Sequence, residues 1–80
     1  MERKVIFEKL NEIFMDSLDL EEVNLTDETT ANDIEEWDSL SHVQLIYDIE
    51  EELGVKFSSR EVMKWKNVGE MVDSIEVQLK

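Results

Sequence analysis

The sequence predicts an all-α domain, a small bundle of four helices, three longer and one short, with a long loop between the first and second. Three observations carry this. Apolar residues recur at helical spacing in separate stretches of the chain. Pro is absent and Gly occurs twice, too few to punctuate a hairpin-rich β fold. Two capping signatures, Ser58 to Glu61 and Asn67 to Glu70, mark helix starts near the end of the chain. At 80 residues the sequence reads as one domain over 1–80, with a core so marginal that most apolar residues must face inward.

The first helix is predicted over Arg3–Ser17, because Ile6, Leu10, Ile13, Phe14 and Ser17 draw one stripe along it, while Glu8, Asn11, Glu12 and Asp16 lie away from it. A connection follows from Leu18 to Asp38, long enough to need pinning or a hidden turn. Leu20, Val23, Leu25 and Ile34 are the candidates to hold it to the core, and Thr26 and Thr30 to start short turns. The second helix is predicted from Ser39, with Asp38 as N-cap at the positive end of the helix dipole, to Gly54 as its left-handed C-cap. Val55-Lys56-Phe57 reads as extended. A short third helix covers Ser59–Trp65, and a fourth opens at Asn67-Val68-Gly69-Glu70 and runs to Leu79, with Val68, Met71, Val72, Ile75 and Leu79 as its stripe.

The second helix carries two apolar stripes. Leu45, Ile46, Ile49 and Leu53 make an ordinary core face. Leu40, Val43 and Tyr47 lie roughly 100° around the helix from it. An apolar stripe beside the acidic rim of Asp48, Glu50, Glu51 and Glu52 fits a contact site for another protein; equally, the helix could be central and buried on two sides, with Tyr47 under the long loop.

Charge narrows the function. Eight basic against 21 acidic residues give a formal net charge of −13, which disfavours nucleic acid and anionic membranes and attracts basic protein surfaces. With no Cys, thiol chemistry needs a borrowed thiol, and a single His, His42, excludes a multi-His zinc site, so no metal residues are assigned. Asp27 to Asp38 lacks the alternating ligands and central Gly of an EF-hand. No catalytic residues are assigned either: there is no nucleophile–base pair and no phosphate-binding glycine loop, so the chain is not expected to be an enzyme. Nothing resembles a signal peptide or a spanning helix, and the expectation is a cytoplasmic monomer without membrane insertion.

Glu36-Trp37-Asp38-Ser39-Leu40, followed by Ser41-His42-Val43-Gln44-Leu45-Ile46, resembles the modification motif of acyl carrier proteins, with Asp-Ser-Leu opening a helix whose end is acidic. From Asp38 to Ile75 the pattern follows that family without a gap; the first helix and loop match in character. The resemblance implies a four-helix carrier fold and Ser39 as the attachment point of 4'-phosphopantetheine, moved from coenzyme A by a phosphopantetheinyl transferase. The arm's thiol would then hold acyl groups as thioesters. It also implies that Asp38 helps present Ser39 to the transferase and its magnesium. Leu40, Val43 and Tyr47 would contact acyl-loading and acyl-processing enzymes, and Glu50 and Glu51 would meet the Arg and Lys of their docking surfaces. A phosphodiester at Ser39 would be favoured by free N–H groups at the helix start. His42 reads as a rim residue.

Several positions depart from the carriers of fatty-acid synthesis. Ser41 and Gln44 stand where many of those are acidic, Trp37 where a small residue is common, and Arg60, Lys64 and Lys66 interrupt the negative surface. These departures favour a specialised carrier, in a secondary-metabolite, modified-lipid or polysaccharide pathway. An aminoacyl or peptidyl carrier and an unmodified acidic helical adaptor are the alternatives, and modification of Ser39 separates the adaptor from the others.

Overall fold

Three of the four helix starts, and the end of the second helix, fall where the sequence offers a cap, while the first helix opens after Glu2 without a side-chain cap. The computed structural model describes residues 2–79, in the order α1 (Arg3–Leu18), a single 3-10 turn (Ala31–Asp33), α2 (Ser39–Leu53), α3 (Ser59–Lys64) and α4 (Val68–Leu79). The all-helical, four-helix expectation is met, with no strand among the described residues. Asp38 caps α2, Gly54 ends it at φ 66°, and the Ser58 hydroxyl accepts the Glu61 N–H at 3.1 Å to open α3. Asn67 caps α4 by accepting the Glu70 N–H at 3.0 Å, but the Glu70 carboxylate reaches back to Lys66 N–H, one residue beyond the expected partner.

Two boundaries move by one residue, each because of a large side chain. Leu18, buried, completes the α1 stripe that Ser17 was expected to finish, and Asp19 then closes the helix at φ 55° with its N–H on the Met15 carbonyl. Trp65 leaves α3 as an extended C-cap, and its indole N–H donates to the Ser74 hydroxyl of α4 at 2.9 Å. The turn at Thr30 is realised: Thr30 N–H donates to the Asp33 carboxylate at 2.9 Å.

The core joins Ile6, Leu10, Ile13 and Phe14 of α1 to Leu45 and Ile49 of α2 and to Val68, Met71, Val72 and Ile75 of α4. Burial of such side chains, worth roughly 1.5–3 kcal/mol each, is the main stabilising contribution. Leu25 and Ile34 pin the loop as expected, Leu20 and Val23 pack against the core's edge, and Trp37 is buried with them.

The loop is also tied down through its backbone. Thr29 and Asp27 carbonyls accept the Val68 and Gly69 N–H groups at 2.8 and 3.0 Å, so the loop caps α4 from a distance. The approach is so close that a Cβ on Gly69 would lie 2.8 Å from the Asp27 carbonyl oxygen. Arg3 clasps the same region, pairing with Asp27, Asp73 and Glu76. These ties fix the middle of the loop against the start of α4 and the first turn of α1.

Candidate functional site

The start of α2 is built from a few neighbouring residues. Asp38 Oδ1 accepts the N–H groups of Leu40 and Ser41 at 3.0 and 2.9 Å. The Ser41 hydroxyl returns the bond by accepting the Asp38 N–H at 2.9 Å, and donates to the Glu36 carbonyl at 2.8 Å. Hydrogen bonds from Ser41 hold the Asp38 carboxyl below its ordinary range, so it is firmly ionised near neutral pH. Ser39 lies between these two residues, outside the bonds of the cap and exposed. One expectation is corrected here: the helix start does not offer a set of free N–H groups to an anion, because Asp38 already occupies those of Leu40 and Ser41.

Beneath the cap lies an aromatic brace that the motif alone did not reveal. Trp37 is buried edge-on against Phe14 of α1, ring centroids 5.0 Å apart. Its indole N–H donates to His42 Nδ1 at 2.9 Å. A nitrogen that accepts this bond carries no proton, so neutral His42 bears its proton on Nε2. Burial lowers the His42 pKa and favours that neutral form. His42 is half-buried, not a simple rim residue.

The second stripe of α2 faces solvent. Leu40, Val43 and Tyr47 are 86%, 72% and 56% exposed, which decides between the two arrangements that periodicity left open. Met63 of α3 is 85% exposed and extends the apolar surface; its place outside any repeating stripe hid it from sequence reasoning. Between α2 and α3 runs a groove of about 420 Å3, lined chiefly by Val43, Ile46, Tyr47, Phe57, Val62 and Met63. Glu50 also lines this groove, with one carboxylate oxygen accepting the Phe57 N–H at 2.9 Å. Glu51 is not brought to the stripe. It lines a cleft on the other side of α2, facing Glu12 and Asp16 of α1.

The structure gathers Ser39, Asp38, Leu40, Val43 and Tyr47 on one exposed side and sets an apolar groove beside them. Such an arrangement fits a covalent arm: an exposed hydroxyl for the bond, with room alongside for a flexible chain and its cargo.

Known proteins carry the same pattern. Residues 8–75 match the family described as "Phosphopantetheine attachment site". An acyl carrier protein of Coprothermobacter proteolyticus is 38% identical over 80 residues, covering 99% of this chain and 96% of its own length. One of Thermotoga maritima is 36% identical, covering 96% and 95% respectively. The solution NMR structure of a holo acyl carrier protein from Geobacter metallireducens superposes with a TM-score of 0.86 at 42% identity, over 92% of this chain and 85% of that one. The chain belongs to the acyl carrier protein family, as a carrier and not a catalyst, and its working group is a covalently attached 4'-phosphopantetheine.

Proposed function

We propose that Ser39 is the attachment residue and that the exposed side of α2 and α3 presents the loaded arm to partner enzymes. The observation that carries this is the placement of Ser39, exposed at the first position of α2 in Asp38-Ser39-Leu40, with the apolar groove beginning within one turn of it. When bound, the arm supplies a terminal thiol on which acyl groups are held as thioesters. The protein's own residues supply position. Asp38 fixes the helix start and keeps a negative charge beside the hydroxyl, suited to the magnesium of a phosphopantetheinyl transferase. Ser41 locks that cap, and the Phe14–Trp37–His42 contacts hold the segment below it.

Carriers of this family work with a phosphopantetheinyl transferase and with acyl-processing enzymes. We assign Leu40, Val43 and Tyr47, joined by Met63, as the apolar contact surface, and Glu50 as the acidic group nearest to it. Glu51 would meet the Arg or Lys of a partner from the α1 side. We place the protein, as a monomer and a single domain over 1–80, in the cytoplasm, where coenzyme A is available to the transferase. Among the described residues no helix is long and apolar enough to cross a membrane.

For a specialised pathway, the support shifts. Trp37 and Ser41 have local reasons in packing and capping, and the Gln44 amide donates to Asp48 at 2.9 Å within the helix. The remaining support is the basic, exposed Arg60, Lys64 and Lys66.

The test is intact mass after incubation with coenzyme A, magnesium and a broad-range transferase. The parent gains one phosphopantetheine and Ser39→Ala gains none, with unchanged melting temperature. A parent that stays unmodified with several transferases, or a Ser39→Ala variant that gains the same mass, defeats the assignment.

A further inference from the structure

Charge is unevenly spread along this chain. Residues 53–69 hold four basic residues and one acid, Glu61, a net +3, while the rest of the chain holds four basic and 20 acidic residues, a net −16. Three of the four cations, Arg60, Lys64 and Lys66, lie on α3 or just after it, and all three are exposed. Arg60, Met63 and Lys64 span roughly 100° of the helix, so its outer face is two cations beside a bare apolar side chain.

Folding does not account for these cations. Carboxylates abound, yet the ion pairs among the described residues all centre on Arg3, and none involves α3. Lys64 suits the last turn of its helix, but Arg60 stands in the first turn, at the end where a positive charge is disfavoured. The one acid of the region is engaged locally, the Glu61 carboxylate accepting the Ser58 N–H at 3.5 Å.

The basic face is held in a fixed relation to the acidic side of α2. Just before α3 the Phe57 N–H donates to the Glu50 carboxylate at 2.9 Å, and Glu50 lines the groove between the two helices. Just after α3 the Trp65 indole donates to Ser74 of α4 at 2.9 Å, and its ring packs edge-on against Phe57 with centroids 4.8 Å apart. The apolar groove therefore has a carboxylate on its α2 wall and cations on the helix that forms its other wall.

Screening decides what such a face can hold. The molecule measures 31 × 25 × 23 Å. At physiological ionic strength, exposed charges farther apart than about 8 Å are largely screened from each other. A compact acidic segment laid on α3 meets the local cations. An extended polyanion, a nucleic acid or a membrane, also meets the larger acidic surface and is repelled.

We propose that α3 docks an acidic segment of the acyl-processing partner: Arg60 and Lys64 pair with its carboxylates beside Met63, while basic groups of the same partner meet Glu50. This rests on the docking face proposed above. Two signs in fixed order give the partner one orientation, and a partner whose surface is basic throughout is repelled at α3.

The experiment titrates the isotope-labelled protein with two amphipathic helical peptides that share one Leu face. The first carries Glu along one flank of that face and Lys along the other; the second carries Lys on both flanks. Phosphatidylglycerol vesicles and oligothymidine serve as extended polyanions. The readouts are amide shifts, Kd and the melting temperature of each variant. The two-signed peptide is expected to shift the α3 amides together with those of Val43 and Tyr47. Arg60→Glu combined with Lys64→Glu should raise its Kd about fivefold or more, and Arg60→Gln combined with Lys64→Gln by less, with melting temperatures close to the parent's. The all-Lys peptide should bind the reversed variant more tightly than the parent. Vesicles and oligothymidine should leave the α3 amides unshifted. A two-signed peptide that occupies the groove with the same Kd on the parent and on either variant overturns the proposal. So does a shift of the α3 amides by vesicles or oligothymidine. A two-signed peptide that shifts neither α3 nor Val43 and Tyr47 strikes the docking face itself, and this inference falls with it.

Discussion

Helices α2 and α4 start alike on paper, with a polar cap before an apolar run, and are used in opposite ways. At α4 the first two N–H groups are taken by carbonyls of the long loop, some forty residues earlier in the chain, and Val68 and Gly69 are buried. At α2 the cap is drawn entirely from Glu36, Asp38 and Ser41, and Ser39 and Leu40 stand in solvent. A helix start satisfied by distant chain is a joint, and altering it loosens the fold. A helix start satisfied by its own neighbours is free-standing, and its outer residues are available to other molecules.

The contrast can be broken most forcefully at the joint. Gly69→Ala puts a Cβ 2.8 Å from the Asp27 carbonyl oxygen, so backbone must move. The expected cost is about 2 kcal/mol, or a melting temperature lower by roughly 10 °C in a domain of this size, read by thermal denaturation. The folded fraction should still accept the arm, because the two helix starts share no residue.

A smaller effect is expected at the free-standing start, and it depends on pH. Asp38→Ala removes the acceptor of two N–H groups and should lower the melting temperature by a few degrees at neutral pH. The Asp38 carboxyl titrates below its ordinary value in the folded protein, so its contribution is complete above the ordinary carboxylate range and disappears as pH falls through the folded value. The difference between parent and variant should therefore close in acid. His42 acts in a higher window. Its folded pKa lies below the ordinary 6.5, so its contribution is complete above 6.5 and is lost as pH falls from there towards the folded value. Both proteins should show that step in a melting curve series. If the difference between them persists at low pH, Asp38 is not acting through its charge.

The smallest change in stability belongs to the exposed stripe. Tyr47→Ala should alter stability by no more than about 0.5 kcal/mol, while raising the transferase KM several-fold. A large fall in melting temperature would show the stripe to be core.

Much of this was legible in the chain because the governing interactions are local. Caps at Asp38, Ser58 and Gly54 act within a turn, so they appear as short patterns. The exposure of Leu40, Val43 and Tyr47 was half legible: spacing separates the stripe from the core face, but only the path of the loop decides whether something covers it. Trp37 shows the limit. It looked like a departure from a motif, whereas its burial against Phe14 and its bond to His42 depend on where α1 lies. The roles of Gly69 and Arg3 were hidden for the same reason, since Asp27 meets both from a distant part of the sequence.

The open stripe of Leu40, Val43, Tyr47 and Met63 has a consequence for the protein in bulk solution. Four uncovered apolar side chains would ordinarily invite copies to stick together. At neutral pH each copy carries a formal charge of −13, and the mutual repulsion of like-charged particles keeps the patches from meeting unless a basic surface neutralises them first. The acidity thus acts as a colloidal safeguard as well as a recognition signal. It fails near the isoelectric point of about 4.2, where the protein should flocculate at a much lower concentration than at neutral pH.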